Sequence, residues 1–338
     1  MPALARQLVK DRAKAAYLGL AIGDALGATV EFMTPNEIKA THGVHKNIIG
    51  GGWLKLKPGS VTDDTEMSLA LGAALLACRR VDAKTIAEAF SVWMRSKPVD
   101  IGNTVRRGIV HYRNNSETSV AKSEFNAGNG ACMRSLPIAL ATLGSDKESI
   151  KAASRLQAHI THHADLSDAG TEHIINLVQL ALAGHSIGEL DVATRAFVRN
   201  HPQFTLDVKT INNPGGFIVE TLQAVLQVFY STDDFESCLI DVVNRGGDAD
   251  TTGAIAGMLA GACYGLQGIP NRWLKQLNPK IKTACATQAE DLLNIAPISV
   301  TALDNRGNSK NIKSLKLKHV GYQELDNGNR CTKGDQEP

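Results

Sequence analysis

The chain has 338 residues, with 36 Lys and Arg against 34 Asp and Glu, 43% hydrophobic side chains and only 5% aromatic. That length allows one large or two medium domains, and the composition supports a sizeable core packed mainly by small aliphatic groups. Seven basic and five acidic residues lie from Val300 onward, so residues 1–299 carry 29 of each; a neutral body excludes the concentrated basic face that nucleic acid or an anionic membrane would demand.

Read in chain order, the first strong pattern is helical. Ala16, Leu20, Ala21 and Leu26 recur near i, i+4 spacing over residues 12–30, with Gly19, Gly23 and Gly27 forming a stripe of small residues that invites a closely packed partner helix. Basic residues precede this apolar stretch, but Asp24 interrupts it and no small-residue cleavage site follows, which argues against a signal peptide. Further helices are predicted over 64–79, 83–95, 103–113, 130–143, 147–160, 168–183, 187–199, 215–230, 233–243, 251–266 and 282–294. Strand-type alternation is nearly absent. The expectation is an all-α, single-domain helical body over 1–299, followed by a polar, flexible tail over 300–338. No apolar run is long enough to span a membrane. Six widely spaced cysteines without a C-x-x-C pair suit neither a zinc knuckle nor a small disulfide framework. A cytoplasmic protein is the expectation.

Two acidic motifs stand out. Thr62-Asp63-Asp64-Thr65-Glu66 opens one predicted helix, and Gly246-Gly247-Asp248-Ala249-Asp250-Thr251 opens another. Helix capping and the macrodipole would account for either alone. Together they bring two carboxylates and a threonine to a helix start twice, and bunched carboxylates repel unless a cation holds them. Oxygen donors without His or Cys suit magnesium, manganese or calcium rather than zinc. Six such donors could hold two ions, as in two-metal hydrolytic sites.

In order and spacing, Gly23-Asp24-Ala25-Leu26-Gly27-Ala28 with Glu31, Thr62-Asp63-Asp64-Thr65, Gly128-Asn129-Gly130, Thr161-His162 and Gly246-Gly247-Asp248-Ala249-Asp250-Thr251 resemble the ADP-ribosylglycohydrolase family over residues 12–295. Longer runs, among them residues 50–59 and 98–108, resemble the members that act on dinitrogenase reductase in nitrogen-fixing bacteria. The resemblance implies an all-α fold with a dinuclear metal cleft holding two divalent cations, Mn2+ or Mg2+. It implies Thr62, Asp63, Asp64, Asp248, Asp250 and Thr251 as ligands, with Asp250 bridging; Asp24 reads as structural. It implies Asp100 as the leading proton-transfer residue, Glu31 second, and Gly102 and Asn103 lining the cleft. ADP-ribosylated dinitrogenase reductase is the implied substrate, with a PII signalling protein and an ammonium channel as implied regulatory partners.

Each of these residues also has a plainer reading. Glu31 alone would be a solvated helix-end acid, and Asp100 an N-cap. Gly128, Asn129 and Gly130, with Met133 following, would be a loop and cap, although free N–H groups at a helix start also suit a diphosphate. His162 matches the family pattern as a ligand contact, whereas His163 reads as surface. Phe217 stands where similar members carry a tyrosine that packs on the substrate, so the ring is kept and its hydroxyl lost. Trp53, after three glycines, sits in a loop that either closes over the cleft or packs. Rival readings are a hydrolase of the same fold acting on another ADP-ribosylated protein or O-acetyl-ADP-ribose, or a catalytically silent binding protein.

Overall fold

The computed structural model describes residues 6–297. Within them lie fourteen α-helices: α1 (Arg6–Gly27), α2 (Pro35–His42), α3 (Asp63–Cys78), α4 (Ala83–Arg95), α5 (Asn103–Asn115), α6 (Leu136–Ala141), α7 (Lys147–Ala158), α8 (Asp165–Leu182), α9 (Ile187–Asn200), α10 (Ile218–Ser231), α11 (Phe235–Asn244), α12 (Ala249–Gly268), α13 (Asn271–Gln276) and α14 (Pro279–Ile295). The described residues contain no β-strand, only isolated bridges between Gly51 and Leu56 and between Gly128 and Phe217. The all-α expectation is met. The expected tail over 300–338 lies outside the described residues.

The glycine stripe of α1 has its partner in α12. Ala15, Gly19, Gly23 and Gly27 face Gly261, Gly257, Gly253 and Ala249, an antiparallel register that advances one helical turn at a time. A Cβ on Gly23 would fall 1.9 Å from the Gly253 carbonyl oxygen, and one on Gly257 would fall 2.0 Å from that of Gly19. Only hydrogen at these positions lets the two backbones touch. Leu20, Ile22 and Leu26 of α1 and Ile255, Met258 and Leu259 of α12 are fully buried in the surrounding core. This register sets the start of α12 beside the end of α1, and α3 packs against both α1 and α12. The two acidic motifs therefore meet at one end of the spine.

The structure departs from the predicted elements in three places. Helix α2 was not expected, although Thr34 and Glu37 form a reciprocal capping box with Pro35 at the first helical position. Short α13 was also missed. The stretch predicted as helix from 130 is a series of turns until Leu136, because Pro137 fits only the first turn of a helix. No described helix is long and apolar enough to cross a membrane.

Candidate active site

The helix starts of α3 and α12 are not capped by their own side chains. Asp82, Asp146, Ser186 and Asp234 cap α4, α7, α9 and α11 in the ordinary way, each accepting from a backbone N–H three residues on. Thr62 and Asp248 occupy the corresponding positions of α3 and α12 and make no such bond. Instead α3 is capped from outside by Asp24 of α1. Its carboxylate accepts from the Thr62 N–H (2.9 and 3.1 Å), the Thr62 hydroxyl (3.0 Å), the Thr65 N–H (3.1 Å) and the Thr65 hydroxyl (2.5 Å). Asp24 is thus a structural tie.

With capping done elsewhere, the motif side chains face one another. Thr62 Oγ1 lies 3.3 Å from Asp250 Oδ2 and 3.4 Å from Asp64 Oδ2, and Thr251 Oγ1 lies 3.3 Å from Asp64 Oδ2. A hydroxyl has one proton, so Thr62 cannot satisfy Asp24, Asp64 and Asp250 together. The cluster holds more acceptors than protons. Asp64 Oδ1 is buried with no hydrogen-bond partner, which is costly for a polar atom. Burial pushes Asp64 and Asp250 well above the usual carboxylate range, and like charges nearby add to the effect. Burial also raises Asp63 to about 7 and, reinforced by Asp248, Asp100 and Asp63, raises Glu31 to about 8. An oxygen-only donor set, an orphaned carboxylate oxygen and mutual repulsion fit a hard divalent cation. Oxygens of Glu31, Asp100 and Asp250 also lie within 4.8 Å of one another, an acidic triad that could hold a metal ion.

These groups stand at the end of a cleft of about 680 Å³. Of the expected site residues, Glu31, Asp63, Asp100, Gly102, Asn103, Gly128, Asn129, Gly130, Met133, His162, Asp248, Asp250 and Thr251 line it. Thr62 and Asp64 are buried behind its wall, and Phe217 lies beside it, 42% exposed. Glu31 is only 5% exposed, so the solvated-acid reading fails. It accepts from the Trp53 indole N–H at 2.6 Å. Asp100 is no N-cap: Gly102 takes that position in α5, while Asp100 Oδ1 accepts from the Ile101 N–H. Burial raises Asp100 as well. The Gly102 N–H points at Asp63 Oδ2 (3.4 Å). Asn129 donates to Asp248 Oδ2 (2.6 Å) and to Thr221, and its own N–H is spent on the Gly216 carbonyl. No helix starts at Gly128–Gly130, since α6 begins only at Leu136, and of these three N–H groups it is that of Asn129 which the Gly216 carbonyl takes up. His163 stays out of the cleft lining and stacks on His159.

Gly246 and Gly247 carry the turn into α12, both at positive φ (73° and 67°). A Cβ on either would fall 2.1 Å from a carbonyl oxygen, of Met33 and of Pro214 respectively. The Phe32 N–H donates to the Gly247 carbonyl at 2.7 Å, and the Gly247 N–H donates to the Met33 carbonyl at 3.0 Å. Sequence reasoning missed two contributors: the direct bond from Trp53 to Glu31, and Arg134, buried behind the cleft with its guanidinium on Thr161. Neither has a local sequence signal, since each acts across tertiary distance.

With this geometry in hand, comparison with known proteins is specific. The family model described as ADP-ribosylglycohydrolase matches residues 5–302. An ADP-ribosyl-[dinitrogen reductase] glycohydrolase of Rhodospirillum rubrum is 48% identical over 288 residues, 85% of this chain and 97% of that one. An ADP-ribosylarginine hydrolase of Serratia proteamaculans is 30% identical over 301 residues, 85% of this chain and 80% of that one. A solved structure of an ADP-ribosylglycohydrolase-related protein complex superposes with a TM-score of 0.76 at 34% identity, covering 86% of this chain and 99% of that one. This chain belongs to the ADP-ribosylglycohydrolase family.

Proposed function

We propose that this glycohydrolase cleaves the N-glycosidic bond between ADP-ribose and a modified arginine, with ADP-ribosylated dinitrogenase reductase as its protein substrate, so that it restores nitrogenase activity. The observation that carries the reading is the meeting of two acidic helix starts around a buried, unpartnered Asp64 oxygen at the end of a cleft. The similarity to the Rhodospirillum and Serratia hydrolases supports the substrate and the linkage.

In this reading Thr62, Asp63, Asp64, Asp248, Asp250 and Thr251 hold two divalent cations, Mn2+ or Mg2+. Bound there, such ions supply positive charge that orients sugar hydroxyls and water and offsets charge developing at the anomeric centre. The remaining steps belong to side chains. Gly102, Asn103, Gly128, Gly130, Met133 and His162 line the space for the ADP-ribosyl group, Asn129 steadies Asp248, and the ring of Phe217 packs at the edge. Water adds its hydroxyl to the anomeric carbon as the bond to the guanidino nitrogen breaks, and that nitrogen takes up a proton. Asp100, half-buried on the cleft wall, is the leading group for moving that proton, and Glu31 the second. Both have raised pKa values, which suits proton exchange near neutral pH.

Association with a PII signalling protein, and through it an ammonium channel, is the regulatory arm of the same proposal, in a cytoplasmic setting. The test is release of free ADP-ribose from arginine-modified and serine-modified proteins with manganese present or chelated. Release from the arginine-linked substrate alone supports the reading. Preference for the serine linkage or for O-acetyl-ADP-ribose would move the chain to another activity of the fold. No release from any of them would favour a silent binding protein.

A further inference from the structure

Arg134 is fully buried behind the cleft, yet all of its hydrogen bonds go to neutral groups. Its Nε donates to Gln157 Oε1 (2.9 Å), and its Nη2 donates to the Gln157 carbonyl (3.0 Å) and to Thr161 Oγ1 (2.7 Å). The guanidinium carbon lies 4.6 Å over the Phe90 ring. A buried cation without a paired carboxylate is expensive, so its placement calls for a reason. The reason lies one bond further on. Thr161 Oγ1 is 2.7 Å from His162 Nδ1. Arginine can only donate, so Thr161 Oγ1 accepts from it, and among the described residues the buried hydroxyl proton has His162 Nδ1 as its acceptor. Burial, with the charges of Arg134 and Arg107, pushes His162 down to about 3, so the ring is neutral. A neutral ring that accepts at Nδ1 carries its own proton on Nε2. That edge faces the cleft: a Cβ on Gly128 would lie 3.0 Å from Nε2, and one on Gly130 would lie 2.7 Å from Cε1. Among the described residues Nε2 has no protein partner.

We infer that Arg134, acting through the Thr161 hydroxyl, is a positioning residue that fixes His162 as an Nε2–H donor for an acceptor oxygen of the sugar–diphosphate ligand beside Gly128 and Gly130. The inference rests on the reading that the cleft takes an ADP-ribosyl group. The opposite tautomer would turn a lone pair toward that oxygen and repel it. Glycine at 128 and 130 keeps a Cβ from colliding with that edge of the ring.

The test uses the full chain labelled with ¹⁵N-histidine, with the His162 signals assigned by their loss in His162→Gln. Ligand-free wild type is expected to show the Nε2–H tautomer at neutral pH. Thr161→Val removes the hydroxyl at nearly constant volume; it should abolish that bias and weaken ADP-ribose binding about tenfold. It should raise KM while leaving kcat within about twofold, because the bond acts on the bound ligand as a whole. Thr161→Ser keeps the hydroxyl and should restore tautomer and affinity together. Arg134→Met is the obvious variant but leaves a hole and orphaned acceptors in the core, so the threonine pair carries the test. An Nδ1–H tautomer in wild type, or a Thr161→Val protein with wild-type tautomer and affinity, overturns the inference. The tautomer is read without ligand; an Nε2–H ring in a protein that fails to bind ADP-ribose therefore overturns the functional reading and the ligand half of this inference, and is distinct from a wrong tautomer.

Discussion

The Trp53 indole nitrogen donates to a Glu31 carboxylate oxygen at 2.6 Å, which joins the loop after Gly50-Gly51-Gly52 to an acid at the edge of the metal-fitting cluster. The Trp53 ring lies 5.4 Å from that of Phe32, and the residue, 52% exposed, lines the cleft. Position of the loop and position of the carboxylate are one variable.

Trp53→Phe keeps an aromatic ring beside Phe32 and removes only the N–H donor. Burial holds Glu31 near 8, and the Trp53 bond opposes that rise. Its loss should push Glu31 higher still. As a proton donor Glu31 acts in its protonated form, so the alkaline limb of the pH–activity profile should move to higher pH, with little change in thermal stability, and a full pH–rate profile of wild type and variant reads the shift directly.

Asp24→Asn should destabilise the fold by about 2–4 kcal/mol, since an amide presents N–H groups where the Thr62 and Thr65 donors need acceptors. Manganese affinity should fall with it, because the start of α3 carries Thr62, Asp63 and Asp64. Equilibrium denaturation and metal titration of the same protein measure both. Unchanged stability would remove Asp24 from its place as the outside cap.

Gly23→Ala and Gly257→Ala drive a methyl into a facing carbonyl. Each should cost about 1–3 kcal/mol or more as α1 and α12 are forced apart. Gly188→Ala, in open space on α9, is the control and should be neutral or slightly stabilising. Denaturant midpoints rank the three.

Metal-free stability should depend on pH in a definite direction. Glu31 rises from 4.5 to about 8 on folding, and Asp63 and Asp24 rise from 3.8 to about 7. Groups with raised folded pKa values bind more protons in the native state, so their contribution is complete below about pH 4 and is lost as pH climbs toward 8. The chelated protein should melt progressively lower across that window. Manganese should reverse the loss at pH 8 and do little at pH 5, where protonated carboxylates compete with it. Melting curves with EDTA or manganese at several pH values test the crossover.

The legibility of this molecule in its sequence follows physical lines. Helices such as α8 and α10 announce themselves by period, and the α1 stripe announces a close partner. The acidic starts of α3 and α12 are legible because two carboxylates beside a hydroxyl exceed what capping uses. Helix α2 is legible only in its capping signal, Thr34-Pro35-Asn36-Glu37; α13, six residues between prolines, is too short for any period to show. The Asp24 cap, the Trp53–Glu31 bond and the buried Arg134 were illegible because each joins residues brought together only by tertiary packing. The turns from Gly128 to Arg134 misled for a local reason: their apolar content is that of a buried loop, and Pro137 delays the helix.

The most direct test of the central claim counts metal and turnover in one preparation. Protein stripped with EDTA is reloaded with manganese, bound ions are counted, and release of ADP-ribose from arginine-modified dinitrogenase reductase is followed, for wild type and for Asp250→Asn. The account predicts no release when stripped, recovery on reloading, and loss of both bound manganese and release in the variant. Full release by the stripped enzyme, or an Asp250→Asn protein with unchanged metal content and turnover, would contradict it.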